Sequence, residues 1–265
     1  GIGITNELNF TASGEMDNGF TWSYSMELDP ASGGAANNDD TSIVIGMGDM
    51  GTVKVCVSEC GNNKKYAFDA SAYTKMSDTG ISEGIVYPGD AGAAGTATIQ
   101  YHTPELPFGT TASFAYNTQV PGDAASGNST GALDTSQNSR EEYSLVTKPI
   151  DGLTLSAHYN KVNDFADGVA TEDQLEEGGA YAAKYSAGNL TIGYGKSFQA
   201  PELLSSTATG SSVEYYENTG YSIGYAVNDE LSVSYTRETS EASQSTSSNT
   251  TYDIEMDSIQ FAYSL

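Results

Sequence analysis

Basic side chains are scarce. Ten Lys and Arg stand against 35 Asp and Glu, a formal net charge of −25 at pH 7. Such a surface repels a polyanion and no basic cluster opposes it, so nucleic acid is excluded as a partner. Long apolar runs are missing too: none approaches the roughly 18–20 residues that a membrane-spanning helix needs. The chain has only two cysteines, Cys56 and Cys60, which excludes a disulfide-rich scaffold. Motifs of chemistry are absent: there is no G-x-S-x-G elbow, phosphate-binding loop or metal-ligand spacing. The two histidines, His102 and His158, fall in separate segments far from the cysteines, which argues against a zinc site; with Ser and Asp throughout the chain, a catalytic triad stays open. These absences point away from an enzyme. The chain opens directly in a strand-like stretch rather than a leader, so a mature or truncated form is expected.

What is present is alternation. The 265 residues include 18 Tyr and 29 Gly, and apolar residues recur two apart in segment after segment, the period of a strand with one apolar face. Phe20, Trp22, Tyr24, Met26 and Leu28 alternate with Thr21, Ser23, Ser25 and Glu27. The same pattern marks Ile2–Ala12, Ile43–Met47, Val53–Val57, Ala97–Tyr101, Ala112–Tyr116, Tyr143–Thr147, Leu153–Tyr159, Tyr181–Tyr185, Leu190–Tyr194, Tyr215–Val227, Leu231–Tyr235 and Ile259–Leu265. That is about 13 strands, all antiparallel, joined by short turns and longer polar loops in strict alternation. A membrane barrel has this asymmetry, and it escapes the hydropathy test because only alternate residues meet lipid. Aromatics near the strand ends, among them Phe20, Tyr116, Tyr143, Tyr159, Tyr181 and Tyr263, suit two interfacial girdles. A secreted β-sandwich or solenoid, with an adhesin-like or carbohydrate-binding role, is the competing reading. The hydroxyl- and glycine-rich polar faces suit a wet lumen better.

One connection breaks the pattern. From Cys56 to Ala94 the chain is long, irregular and of mixed charge, with residues 59–94 as its body. The hairpin Ile43–Val55 before it resembles the strand–turn–strand that precedes the constriction loop of general bacterial porins, and Gly19–Leu28 resembles the hairpin before that. The likeness is to alphaproteobacterial-type porins of the Gram-negative outer membrane. It covers nearly the whole chain as a pattern and few single residues. It implies a transmembrane antiparallel β-barrel, 16-stranded in the family, homotrimeric, set among outer-membrane lipid and lipopolysaccharide, that passes small hydrophilic solutes and ions. It also implies that the insert is the inward-folded loop. The strand count then leaves one family strand before the first segment and two after Leu265, so truncation at both ends is expected. Residues 1–265 form a single domain.

The resemblance assigns the pore. Constriction-loop charges are Glu59, Lys64, Lys65, Asp69, Lys75, Asp78, Glu83 and Asp90. Strand parity puts Lys54, His102, Glu142, Lys148, His158 and Lys184 on the inner wall, where each is either part of a transverse field or a plain solvated charge. Arg140 and Arg237 stand near external ends. With the acidic excess, cation preference or weak selectivity is expected. Cys56 and Cys60 flank the root of the insert, and in an oxidising compartment they pair or remain free thiols. No cofactor is called for. The acidic segments Asn37–Asp40 and Glu172–Glu177 offer oxygen ligands for a divalent cation at the external rim, or are simply solvated.

Overall fold

Period-two sequence becomes a single continuous sheet. A computed structural model of the chain describes residues 8–30, 36–38, 41–58, 69–72, 98–117, 139–163, 172–200, 203–204, 213–244 and 252–264. The strands are β1 (Leu8–Glu15), β2 (Thr21–Pro30), β3 (Ala36–Asn38), β4 (Thr41–Gly46), β5 (Thr52–Ser58), β6 (Thr98–His102), β7 (Thr111–Asn117) and β8 (Ser139–Thr147). They continue as β9 (Leu153–Asn163), β10 (Glu172–Gln174), β11 (Glu177–Ala187), β12 (Leu190–Ala200), β13 (Leu203–Leu204), β14 (Val213–Ala226), β15 (Leu231–Gln244) and β16 (Tyr252–Tyr263). Among the described residues, 13 of these follow one antiparallel path in chain order from β1 to β16, with β3 appended to β2 and β10 paired with β13 outside it. Along that path each strand pairs with the next, so the path needs no crossover and its main-chain ladders close locally.

The short connections share one rim and their chemistry fixes them. In the first, the Asn18 carboxamide oxygen accepts from Phe20 N (3.1 Å), and Gly19 takes φ 81°. Between β4 and β5, Gly48 (φ 62°) and Gly51 (φ 86°) supply the left-handed backbone that the sequence anticipates there. Between β14 and β15, Asn228 Oδ1 accepts from Glu230 N (2.9 Å) and Leu231 N (2.8 Å). The strand ends that the long connections join lie at the opposite rim.

The sheet is inverted relative to a water-soluble protein. Side chains on one face are polar and sequestered: Gln100 is 3% exposed, Asn117 0%, Glu142 1%, His158 3%, Thr236 1%. The opposite face is apolar and open: Ile99, Leu145, Ile192, Ile223 and Tyr225 are all exposed, and Ile259 and Phe261 most of all. A β-sandwich buries the other face, so the soluble reading is overturned. An apolar exterior over a polar interior is the arrangement of a strand-built membrane protein.

Two expectations need correction. Glu238–Gln244 is strand rather than loop, since β15 runs through it. Its inward residues Glu238, Ser240 and Ala242 are buried, and a hydroxyl-rich inner face carries a loop's composition. The tyrosines are also not confined to strand ends. Phe114–Tyr143 (5.2 Å), Tyr143–Tyr159 (6.4 Å), Tyr181–Tyr194 (6.4 Å) and Tyr194–Tyr221 (5.2 Å) pack as rows across the middle of the outer face. Towards the long-loop rim from them lie outward charges: Glu141 with Lys161 (3.5 Å), Lys196 with Glu217, and Arg237 with Glu255 (2.8 Å). Phenol hydroxyls reach up to that layer, Tyr143 to Glu141 (2.9 Å) and Tyr235 to Asp257 (2.6 Å). The strands outlast the apolar zone, so the amphipathic rings fall within them at its border.

Candidate functional site

Inner-face residues line up in cross-strand rows. One row runs Thr154, Lys184, Gly193, Ser222, Thr236, Ser258 from β9 to β16. A second, towards the long-loop rim, runs Ser144, His158, Ala180, Ser197, Asn218, Ser240. Towards β14 this wall is built from small residues, with Gly195 facing Gly220 and Thr191 facing Gly224.

Onto that small-residue floor is seated the one described part of the insert, Asp69–Ala72. Ala70 N donates to Ser222 Oγ (2.8 Å) and Ala72 N to Ser234 Oγ (2.7 Å). Ser71 Oγ donates to Asp69 Oδ1 (2.6 Å) and lies 3.1 Å from Thr236 Oγ1. A serine hydroxyl has one proton, and Ser71 gives it to the carboxylate, so Thr236 is the donor in the latter pair. Ser222 and Thr236 are themselves 3.1 Å apart. Lys184 Nζ donates to the Asp69 carbonyl (2.7 Å). A Cβ at Gly224 would collide with the Ala70 carbonyl oxygen, so glycine lets the two backbones approach.

Of the other expected site residues, Lys54 and His102 stand half-buried on the inner wall and Glu142 and His158 are buried there. His102 Nε2 faces Gln100 Oε1 (3.1 Å). Lys148 is exposed and lies one residue past the end of β8 at Thr147, ahead of Pro149. Glu59, Lys64, Lys65, Lys75, Asp78, Glu83 and Asp90 lie outside the described residues. Cys56 is buried and disulfide-bonded; Cys60, the chain's other cysteine, lies outside the described residues.

At the long-loop rim Arg140 turns inward and is 2% exposed, bonded to Glu176 (2.7 Å). Burial pushes the Glu176 carboxyl above the usual carboxylate range, while the guanidinium beside it pulls the other way. Glu177 accepts from the Tyr159 hydroxyl (3.0 Å), so two carboxylates of the acidic segment 172–177 have protein partners. Glu172–Gln174 forms β10, and Gln174 Nε2 donates to Glu214 O (2.8 Å). Asp39 and Asp40 lie outside the described residues.

The closest approach to a catalytic pair is Ser144 Oγ with His158 Nδ1 (2.9 Å). Asn160 Nδ2 sits 3.3 Å from His158 Nε2 and donates to it. Both ring nitrogens of His158 are thus engaged within the wall. Among the described residues, an open cleft of about 410 Å³ lies over Ala112 and Ala157 between the rings of Phe114, Tyr143 and Tyr159 on the apolar side.

Sequence and structure comparisons converge. The sequence profile of the Gram-negative porins matches residues 1–263. No curated protein matches the chain. A porin refined at 1.8 Å resolution superposes with a TM-score of 0.62 at 14% identity, covering 98% of this chain and 82% of that one. In-vitro folded OmpT, an outer-membrane protein of Vibrio cholerae, superposes with a TM-score of 0.62 at 10% identity, covering 98% of this chain and 74% of that one. A trimer form of the same protein gives 0.55 at 10% identity over 98% of this chain and 76% of that one.

The sequence reading did not anticipate the seat of Asp69–Ala72. Ser222, Ser234 and Thr236 look like any other hydroxyls of the inner face. Nor did it anticipate the outward ion pairs, although extending the alternation past Tyr221 and Tyr235 puts Glu217 and Arg237 on the outer face.

Proposed function

Because the chain belongs to the Gram-negative porin family, channels of the outer membrane, we propose that small hydrophilic solutes and ions diffuse passively along its polar inner face. The insert that follows β5 filters them by size and charge. One observation carries this reading: the polar face is sequestered, the apolar face is open, and Asp69–Ala72 of the insert is bonded to the polar face. Such a wall offers hydrogen bonds to a hydrated solute without a deep binding site.

In this reading the protein performs no reaction and takes no cofactor. Residues 1–265 act as one barrel domain with 59–94 as the constriction. Lys54, His102, Glu142 and His158 face the insert's Glu59, Lys64, Lys65, Lys75, Asp78, Glu83 and Asp90 across the lumen, and the Cys56–Cys60 pair ties down the insert's root. Three copies assemble, as in the trimer form of the Vibrio cholerae protein. The outer face meets membrane lipid, and its charged upper layer meets lipopolysaccharide. A divalent cation bridging the remaining acids of Asn37–Asp40 and Glu172–Glu177 is the one ion this reading admits.

The test is single-channel recording in a planar bilayer with a salt gradient. Stepwise conductance in groups of three is expected, with a reversal potential of cation preference or close to zero. A folded, inserted protein that carries no current would overturn the proposal.

A further inference from the structure

Lys184 sits on the inner wall, where a cation would ordinarily be counted among the charges that select ions. Its geometry says otherwise. The ammonium donates to the main-chain carbonyl of Asp69 at 2.7 Å, 115 residues away in the chain. Lys184 faces Gly193 on β12, and Gly193 faces Ser222 on β14. The lysine must therefore span two strand spacings, roughly 10 Å, to meet the insert above Ser222. Gly193, which has no side chain, stands between the two in that row. The acceptor is a backbone oxygen, so the bond reads the position of the segment rather than its charge. The neighbouring bonds at Ala70, Ser71 and Ala72 are all to neutral hydroxyls. Lys184 adds a charge-assisted bond between the seat and the wall, beside the longer one that the Asp69 carboxylate accepts from Ser222 Oγ (3.5 Å), and such bonds are about twice as strong as neutral ones.

We propose that Lys184 is a positioning residue of the channel: it clamps Asp69–Ala72 against β14 and β15 and thereby holds the aperture at one size, instead of serving as a selectivity charge. The proposal rests on the channel reading above. It predicts that K184M leaves the reversal potential near the wild-type value but raises the frequency of transitions between conductance levels roughly tenfold or more, the factor that goes with loss of one charged hydrogen bond. K184R should restore quiet openings, since a guanidinium can still donate to the carbonyl. A double variant A72C/S234C, bridged by a short bifunctional thiol reagent beside the bond of Ala72 N to Ser234 Oγ, joins the segment to the wall and should make K184M as quiet as wild type.

The outcomes separate cleanly. A K184M channel with wild-type noise and a shifted reversal potential would overturn the clamp and restore Lys184 as a pore charge. Noise that neither K184R nor the cross-link corrects would likewise overturn it, as a general defect of the wall. Absence of current from wild-type protein would strike the channel reading itself, not the assignment of Lys184 alone.

Discussion

Replacing Gly224 with valine should open the channel wider while leaving its wall intact. At this position a side chain meets the Ala70 carbonyl oxygen, so either the wall or the insert must yield. The wall is held on both sides, Gly224 facing Thr191 on β12 and Ser234 on β15. Valine also suits a strand better than glycine does. The insert therefore gives way. It loses the bonds of Ala70 to Ser222, Ala72 to Ser234 and Ser71 to Thr236. At about 0.5–1.5 kcal/mol net apiece, these together are worth about 1.5–4.5 kcal/mol, enough to shift the seated fraction by more than tenfold. The expected signature is a larger single-channel conductance with faster protease cleavage on either side of Asp69–Ala72, and an unaltered heat-denaturation midpoint. Wild-type conductance from G224V would mean that the seat does not set the aperture.

The second large effect concerns the outer face. Ile223 lies in an outward row between its register neighbours Ile192 and Tyr235, with Ile259 beyond Tyr235. An arginine in its place faces lipid, at a cost of about 2–4 kcal/mol near the bilayer midplane. Ser232 belongs to the inner face of β15, and an arginine there enters water. We expect I223R to reduce the fraction of protein that folds into vesicles severalfold, as measured by resistance to heat and protease, while S232R folds as wild type. Equal behaviour of the two would contradict the assignment of faces.

The faces were legible because a strand's side-chain period is two and lipid and water differ sharply in what they accept. Phe20–Leu28 states this in nine residues. The turns were legible where a left-handed backbone forces glycine, as at Gly48 and Gly51. Strand ends were less so. Pro149 halts β8 one residue short of Lys148, and β15 runs on through residues whose polarity mimics a loop. The seat was illegible for a different reason. A serine that binds an insert and a serine that binds water have the same chemistry, and Gly224 is one glycine among 29. Arg140 showed the same limit: its position near the external end was readable, whereas its inward turn to Glu176 depends on a residue 36 positions later.

The sheet grows by neighbours in sequence, yet the seat of Asp69–Ala72 joins residues 152, 162 and 165 positions apart. Hairpin pairing costs little loop entropy, whereas contacts this remote form only after the intervening chain is ordered. On the channel reading proposed above, narrowing of the aperture is therefore a late event in biogenesis. Until β14 and β15 have docked, the nascent barrel has no surface on which to receive the insert, and a chain interrupted before β14 keeps a wall without its constriction.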